Sequence, residues 1–210
     1  NNKFRAVYYT KYMAANMITF FPIKHLNISF GNSVVYSDVG GGGPHVAYLI
    51  PFLFYKSVDL TLSSTDKDAY VGSNNQFFFN ISSRNIKHLH LYFSLFADDI
   101  STSYLFDKNL YNSFSYKIGF RLSNFFINNL TITGEYTFTN PYVYMHATET
   151  QDYTSNKYNM GHYLQDNSQE FFLSLRYIPL RGLVFELAYS LAQHGDDYDI
   201  SDPDANFHSD

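Results

Sequence analysis

The 210-residue chain has no cysteine and no tryptophan, few charges and no long apolar run. Each lack excludes something. Without cysteine there is no disulfide framework, no thiolate metal site and no cysteine nucleophile. With 14 Lys+Arg against 19 Asp+Glu, a net charge of −5, the basic stripe of a nucleic-acid binder is missing. The longest nearly unbroken apolar stretch, Val46–Tyr55, is about half the ~20 residues that a membrane-spanning helix requires. The chain opens NNKF, with no methionine and no signal-peptide pattern.

Aromatic residues are abundant instead, 20 Tyr and 21 Phe, yet mean hydropathy is only −0.24. The two numbers are compatible when aromatic and polar residues alternate. Leu130–His146 shows this best. Leu130, Ile132, Gly134, Tyr136 and Phe138 fall on one face of an extended chain, and Thr131, Thr133, Glu135, Thr137 and Thr139 on the other. A period of two is a β-strand with one apolar and one polar side.

The same unit recurs along the chain. Strands are expected at Tyr12–Phe21, Leu26–Ser37, Gln76–Ser82, Leu89–Asp98, Phe114–Ser123, Leu130–Thr139, Glu170–Tyr177 and Leu183–Leu191. The connections alternate in length. Short turns lie at Pro22–His25, Ser83–His88, Asn124–Asn128 and Pro179–Gly182. Long loops lie near 38–75, 98–112, 141–168 and 194–210. Val46–Lys56 reads as a short helix interrupted by Pro51, or as an irregular apolar lid. Gly40–Pro44 (GGGGP) is a flexible break and not a phosphate loop, because no GK[ST] follows it.

Short turns at one end and long loops at the other are the pattern of an antiparallel up-and-down transmembrane β-barrel. The rival is a soluble β-sandwich or lipocalin-like barrel with its apolar face turned inward. Two features favour the membrane form: the apolar rows are too bulky for a small barrel interior, and the polar rows carry Lys117, Arg121, Glu135, Arg176 and Glu186 in mid-strand. Phe77, Phe93, Phe120, Phe138, Leu175 and Leu187 are then expected outside, and Thr133, Glu135, Arg121 and Arg176 inside. A turn centred on Phe126 would set Lys117 opposite Glu135, and one on Arg181 would set Arg176 opposite Glu186. These pairs fix register rather than catalyse.

Other constellations carry less. His146, His162 and His194, with Asp166, Asp196, Asp197 and Asp199, lack the spacing of a metal motif. His90 and Ser94 share a polar face, but nothing marks an oxyanion hole beside them. The loop after Pro141 is too long for a connector and too rich in tyrosine for disorder. It should leave the sheet near Asn140, stay ordered, and pack on Tyr48–Phe54 or on the loop after His194.

The stretch EYTFTNPYVYMHATETQDYTSNKYNMGHYLQDNSQE, with YIPLRGL, YSLAQHGDDYD and the earlier GGGGPHVAYLIPFLFYKSVDL, resembles the capsule-assembly Wzi family in its Bacteroidota form. The resemblance covers nearly the whole chain. It implies a barrel of about eighteen strands in the outer membrane of a Gram-negative bacterium, of which residues 1–210 would supply about eight. It also implies a non-catalytic lectin without cofactor or metal, whose partners are capsular polysaccharide, outer-membrane lipid and lipopolysaccharide, and surface proteins. Tyr144, His146, Tyr153, Tyr158, Asn159, His162 and Tyr163 are the expected glycan contacts, since tyrosine rings stack on sugars and amides hydrogen-bond them. A porin-like channel and a subunit of a surface assembly are the alternatives.

Overall fold

The computed structural model describes residues 9–38, 44–65, 73–98, 113–146, 148–156 and 158–195. Gly40–Gly43, the 99–112 connection and the acidic run from Asp196 lie outside them.

The described fold is all-β, one open sheet of eight antiparallel strands in up-and-down order. The strands are β1 (Lys11–Ile23), β2 (Leu26–Ser37), β3 (Asn74–Ser83), β4 (Leu89–Asp98), β5 (Ser113–Ser123), β6 (Leu130–Thr139), β9 (Ser168–Leu180) and β10 (Leu183–His194). The long loop between β6 and β9 carries a two-stranded hairpin, β7 (Thr154–Ser155) and β8 (Tyr158–Asn159). All eight expected strands form. Pro22 and Pro179 lie inside β1 and β9 rather than in the turns. Both sit near strand ends, where a missing N–H is tolerated. The turn after β9 shrinks to Arg181–Gly182, with Gly182 in the left-handed region at φ 88°.

Register keeps the two faces separate across every pair. Phe30 opposes Phe79, Ile81 opposes Phe93, Ile118 opposes Tyr136 and Leu175 opposes Leu187. The result is an apolar ladder: ring centroids are 4.9 Å apart for Phe30–Phe79, 6.4 Å for Phe79–Phe93 and Phe93–Tyr116, and 5.5 Å for Tyr116–Phe138. Phe77, Phe93, Phe120, Phe138, Leu175 and Leu187 share this face, and Thr133, Glu135, Arg121 and Arg176 lie on the other.

Exposure runs opposite to a water-soluble sheet. On the apolar face Phe20, Phe30, Leu91, Ile118, Phe171, Leu173 and Leu187 are exposed, Leu187 to 71%. On the polar face Ser29, Ser33, Gln76, Asp98, Ser115, Thr133, Thr137 and Glu170 are buried. Some of them are linked, Ser33 Oγ donating to Gln76 Oε1 at 2.8 Å and Gln76 Nε2 to Asp98 Oδ1 at 3.4 Å, and the half-buried Tyr92 Oη and Lys117 Nζ both donate to Glu135. Two polar-face glycines make room for rings. A Cβ on Gly31 would meet Phe78 at 1.9 Å, and one on Gly119 would meet Tyr92 at 2.5 Å.

The charge pairs differ in register. Arg176 does oppose Glu186. Lys117 opposes Thr137 and Glu135 opposes Gly119, so the β5–β6 turn centres one residue later than Phe126. The shift is two residues in pairing, which leaves every side chain on its face. Lys117 still reaches Glu135 on the diagonal, at 3.2 Å.

Among the described residues, cover lies over the long-loop end of the sheet. On the apolar face, Val46–Leu49 forms a 3₁₀ turn, Pro51 breaks the chain and α1 (Tyr55–Thr65) follows. The expected helix over 46–56 therefore does not form as one: Val46–Leu49 is a 3₁₀ turn, residues 50–54 are non-helical with Phe52 at φ 69°, and α1 begins only at Tyr55. Tyr48 and Tyr55 pack on Val34 and Tyr36, and Phe54 stacks on Phe77 at 5.2 Å. Phe77 is thus covered by the chain itself, a correction to its expected outward exposure. On the polar face, the 141–167 loop forms the other cover.

Candidate functional site

The strand β6 ends at Thr139, one residue before Asn140 and two before Pro141, as its missing donor requires. The loop then folds back over the polar face and is tied down on many sides. Lys11 Nζ donates to the Asp152 carbonyl, Ser37 Oγ to Thr150 Oγ1 at 3.2 Å, and Asn74 Nδ2 to the Gln151 carbonyl at 3.2 Å. Asp98 Oδ2 accepts from the Tyr144 backbone N–H at 3.0 Å, and the Asn167 carbonyl accepts from Gly195 N–H at 2.8 Å. In its described residues the loop is docked on the sheet and meets the start of the segment after His194. It does not pack on Tyr48–Phe54, because that segment lies on the opposite face of the sheet.

The seven expected glycan residues separate into distinct roles. Tyr144 is 5% exposed. Its ring lies over Gly161, where a Cβ would come within 2.3 Å, and beside Phe96 at 5.2 Å. Tyr153 stacks on Tyr144 at 6.1 Å and lies tilted against Phe96 at 5.0 Å. Tyr144 is therefore packed within the loop, with its remaining surface on the cavity beneath it. Burial raises the phenol pKa of both tyrosines, keeping them neutral.

Asn159 and His146 brace turns. Asn159 Oδ1 accepts from Gly161 N–H at 2.8 Å and its Nδ2 donates to the His162 carbonyl at 3.1 Å. His146 Nδ1 accepts from Thr148 N–H at 3.0 Å. Tyr158 on β8 and Tyr163 keep their rings open, at 78% and 68% exposure. Tyr163 Oη donates to Glu170 Oε1 at 2.5 Å, which raises its pKa, and its ring leans on His162 at 4.7 Å.

Beneath the loop is a cavity of about 250 Å³ whose walls include Asn80, Ser94, Lys117, Thr137, Tyr153 and His162. His162 Nε2 stands 3.5 Å from Glu170 Oε2. Burial lowers the His162 pKa, the nearby Lys117 ammonium lowers it further, and Glu170 opposes them. Residues that sequence reasoning did not single out hold the site together. Glu170 gathers Tyr163, His162 and Ser190, and Asp98 anchors Tyr144. Both are acidic residues at strand ends beside the long loop, a signal that marks where a loop can be tied but not to which atoms.

The other candidates do not assemble. His90 Nε2 hydrogen-bonds Ser82 Oγ at 2.8 Å on the diagonal of the β3–β4 pair, and Ser94 opposes Asn80 and Lys117. Among the described residues no group of three or more His, Asp or Glu is placed to hold a metal ion; Asp196, Asp197 and Asp199 lie outside them. No helix of the described residues is long and apolar enough to cross a membrane, which says nothing of strands. Comparison with known proteins found no matching family model, curated protein or solved structure.

Proposed function

We propose that the chain is part of a transmembrane β-barrel of the outer membrane of a Gram-negative bacterium, about eight strands of a larger barrel. Its 141–167 loop binds surface polysaccharide and aids capsule or exopolysaccharide assembly, without catalysis. The observation that carries the membrane reading is the inverted sheet, with polar residues buried and large apolar ones exposed. Phe20, Phe30, Ile118, Phe171, Leu173 and their neighbours are each about half exposed and Leu187 more so, and each forgoes roughly 1 kcal/mol of burial. The row together forgoes about 10 kcal/mol, as much as the whole net stability of a typical domain. A contiguous apolar surface of that extent calls for a hydrocarbon partner.

The sugar reading rests on the loop. Tyr158 and Tyr163 offer open ring faces, and the cavity behind His162 mixes a cation, hydroxyls and an aromatic wall. At about 250 Å³ it lies below the ~300–1,000 Å³ of sites that enclose drug-sized ligands, so it suits one sugar residue of a chain lying on the tyrosines. The cover also narrows the polar side, which favours binding over a porin-like conduit. The test is binding of purified capsular polysaccharide to detergent-solubilised protein, with Tyr158→Ala plus Tyr163→Ala compared with parent. Loss of binding with an unchanged heat-modifiable gel shift supports the reading; undiminished binding removes the loop from the site.

A further inference from the structure

A second hollow lies at the opposite, short-turn end of the sheet. It measures about 370 Å³ and lies between the β3–β4 turn and the end of β5, with Arg84, Lys87, His88, His90, Arg121 and Ser123 among its lining residues. Among the described residues that line it there is no carboxylate, and none of Arg84, Lys87 and Arg121 takes part in an ion pair. His90 and Arg121 are direct register partners on the polar face. The permanent cations of the hollow, Arg84, Lys87 and Arg121, repel one another while nothing anionic sits between them.

The hollow belongs to a wider polarity of charge. The short-turn end carries Lys24, Arg84, Lys87, Arg121, Arg176 and Arg181, answered there by Glu186. Asp38, Asp59, Asp98, Asp152, Asp166 and Glu170 gather at the long-loop end. A chain with a net charge of −5 thus keeps one end basic. Two of the basic walls are also held in place. His90 Nε2 is bonded to Ser82 Oγ at 2.8 Å, and His88 Nδ1 donates to the Ser123 carbonyl at 2.9 Å.

We propose that this hollow is a binding site for an oxyanion, a phosphate or carboxylate group of a soluble ligand. Arg84 and Arg121 supply guanidinium forks whose paired N–H groups match two oxygens of such a group, and Lys87 adds a point charge. Because His90 and Arg121 project from the polar face, the ligand arrives from that side and not from a lipid headgroup layer against the apolar face. The site is separate from the loop site and does not depend on the polysaccharide reading.

The experiment is isothermal titration of the full chain in neutral detergent micelles with sodium pyrophosphate at low ionic strength. Saturable binding is expected, weakened about 10-fold or more by high salt because screening acts on charges this exposed. Arg84→Gln with Arg121→Gln should abolish it. Lys24→Gln with Arg181→Gln, which removes charge from the same end outside the hollow, should change affinity by about 2-fold or less. Arg121→Lys keeps the charge and loses the fork, so an intermediate affinity supports the site even if the double Gln variant folds poorly. Equal weakening by the Lys24/Arg181 pair would overturn the proposal in favour of a diffuse basic surface. Absence of pyrophosphate binding would also overturn it, as would binding only to phosphatidylglycerol bicelles and not to pyrophosphate.

Discussion

His162 Nε2 faces Glu170 Oε2 at 3.5 Å, and the neighbouring Tyr163 Oη donates to the other oxygen of the same carboxylate at 2.5 Å. One strand residue thus holds two consecutive loop residues, and Ser190 of β10 donates to it as well, at 2.6 Å. The docking of the loop on the polar face therefore passes through Glu170. Glu170→Gln should keep the sheet but loosen the 158–165 segment, seen as faster hydrogen exchange at Gly161 and Leu164 with strand amides unchanged. Removing a charged acceptor with two hydroxyl donors should cost about 1.5–3 kcal/mol of docking free energy.

The burial of His162 sets a pH dependence that the Glu170 contact works against. Burial first, and then Lys117, depress the His162 pKa in the folded loop. As pH falls below the ordinary histidine value of about 6.5, the undocked loop takes up a proton before the docked one does. Docking is therefore weakened as pH drops through that window and levels off below the depressed folded value. Hydrogen exchange of the loop should accelerate between neutral and mildly acidic pH in the parent, and His162→Gln should flatten that response.

Gly119 makes the space for Tyr92, whose hydroxyl donates to Glu135. A Cβ there would lie 2.5 Å from the ring, and the hydroxyl's bond to Glu135 limits how far the ring can retreat. Gly119→Ala should destabilise by about 1–3 kcal/mol, an overpacking cost. Urea unfolding of the protein folded into micelles is the measurement, and the double change Gly119→Ala with Tyr92→Ser should recover part of the loss.

Leu173 lies in mid-β9 on the apolar face, opposite Gly134 and Tyr189. If that face meets the bilayer near its midplane, Leu173→Arg should cost roughly 2–4 kcal/mol of folding into lipid vesicles. Ser174→Arg, one residue on and on the polar face, should cost far less. Similar costs for the two would remove the membrane assignment.

Phe54 fastens the 44–65 segment to the sheet through its stack on Phe77, and its other half is exposed. Phe54→Ala should destabilise by about 1–2 kcal/mol, below the 3–5 of a fully buried phenylalanine. The readout is limited proteolysis, with earlier cutting between Val46 and Lys56 and no change after Leu130.

The division between sequence and tertiary structure follows from the period of two. Alternation assigned each residue of Leu89–Asp98, Leu130–Thr139 and Leu183–Leu191 to a face, and Asn and Gly marked the turns, whereas Pro22 and Pro179 fall inside strands. Pairing errors of two residues leave that assignment intact, which is why the faces could be read although the Lys117–Glu135 register could not. The Arg176–Glu186 pair was legible because its turn is only two residues long and leaves little freedom. Loops have no period, so nothing local says which face a long connection will cover. Only the tertiary structure sends Val46–Thr65 onto the apolar face, covering Phe77, and residues 141–167 onto the polar one. The same holds for the tyrosines: Tyr144 and Tyr158 look alike in the chain, and whether a ring is buried over Gly161 or left open depends on where Asp98, Glu170 and Lys11 anchor the loop.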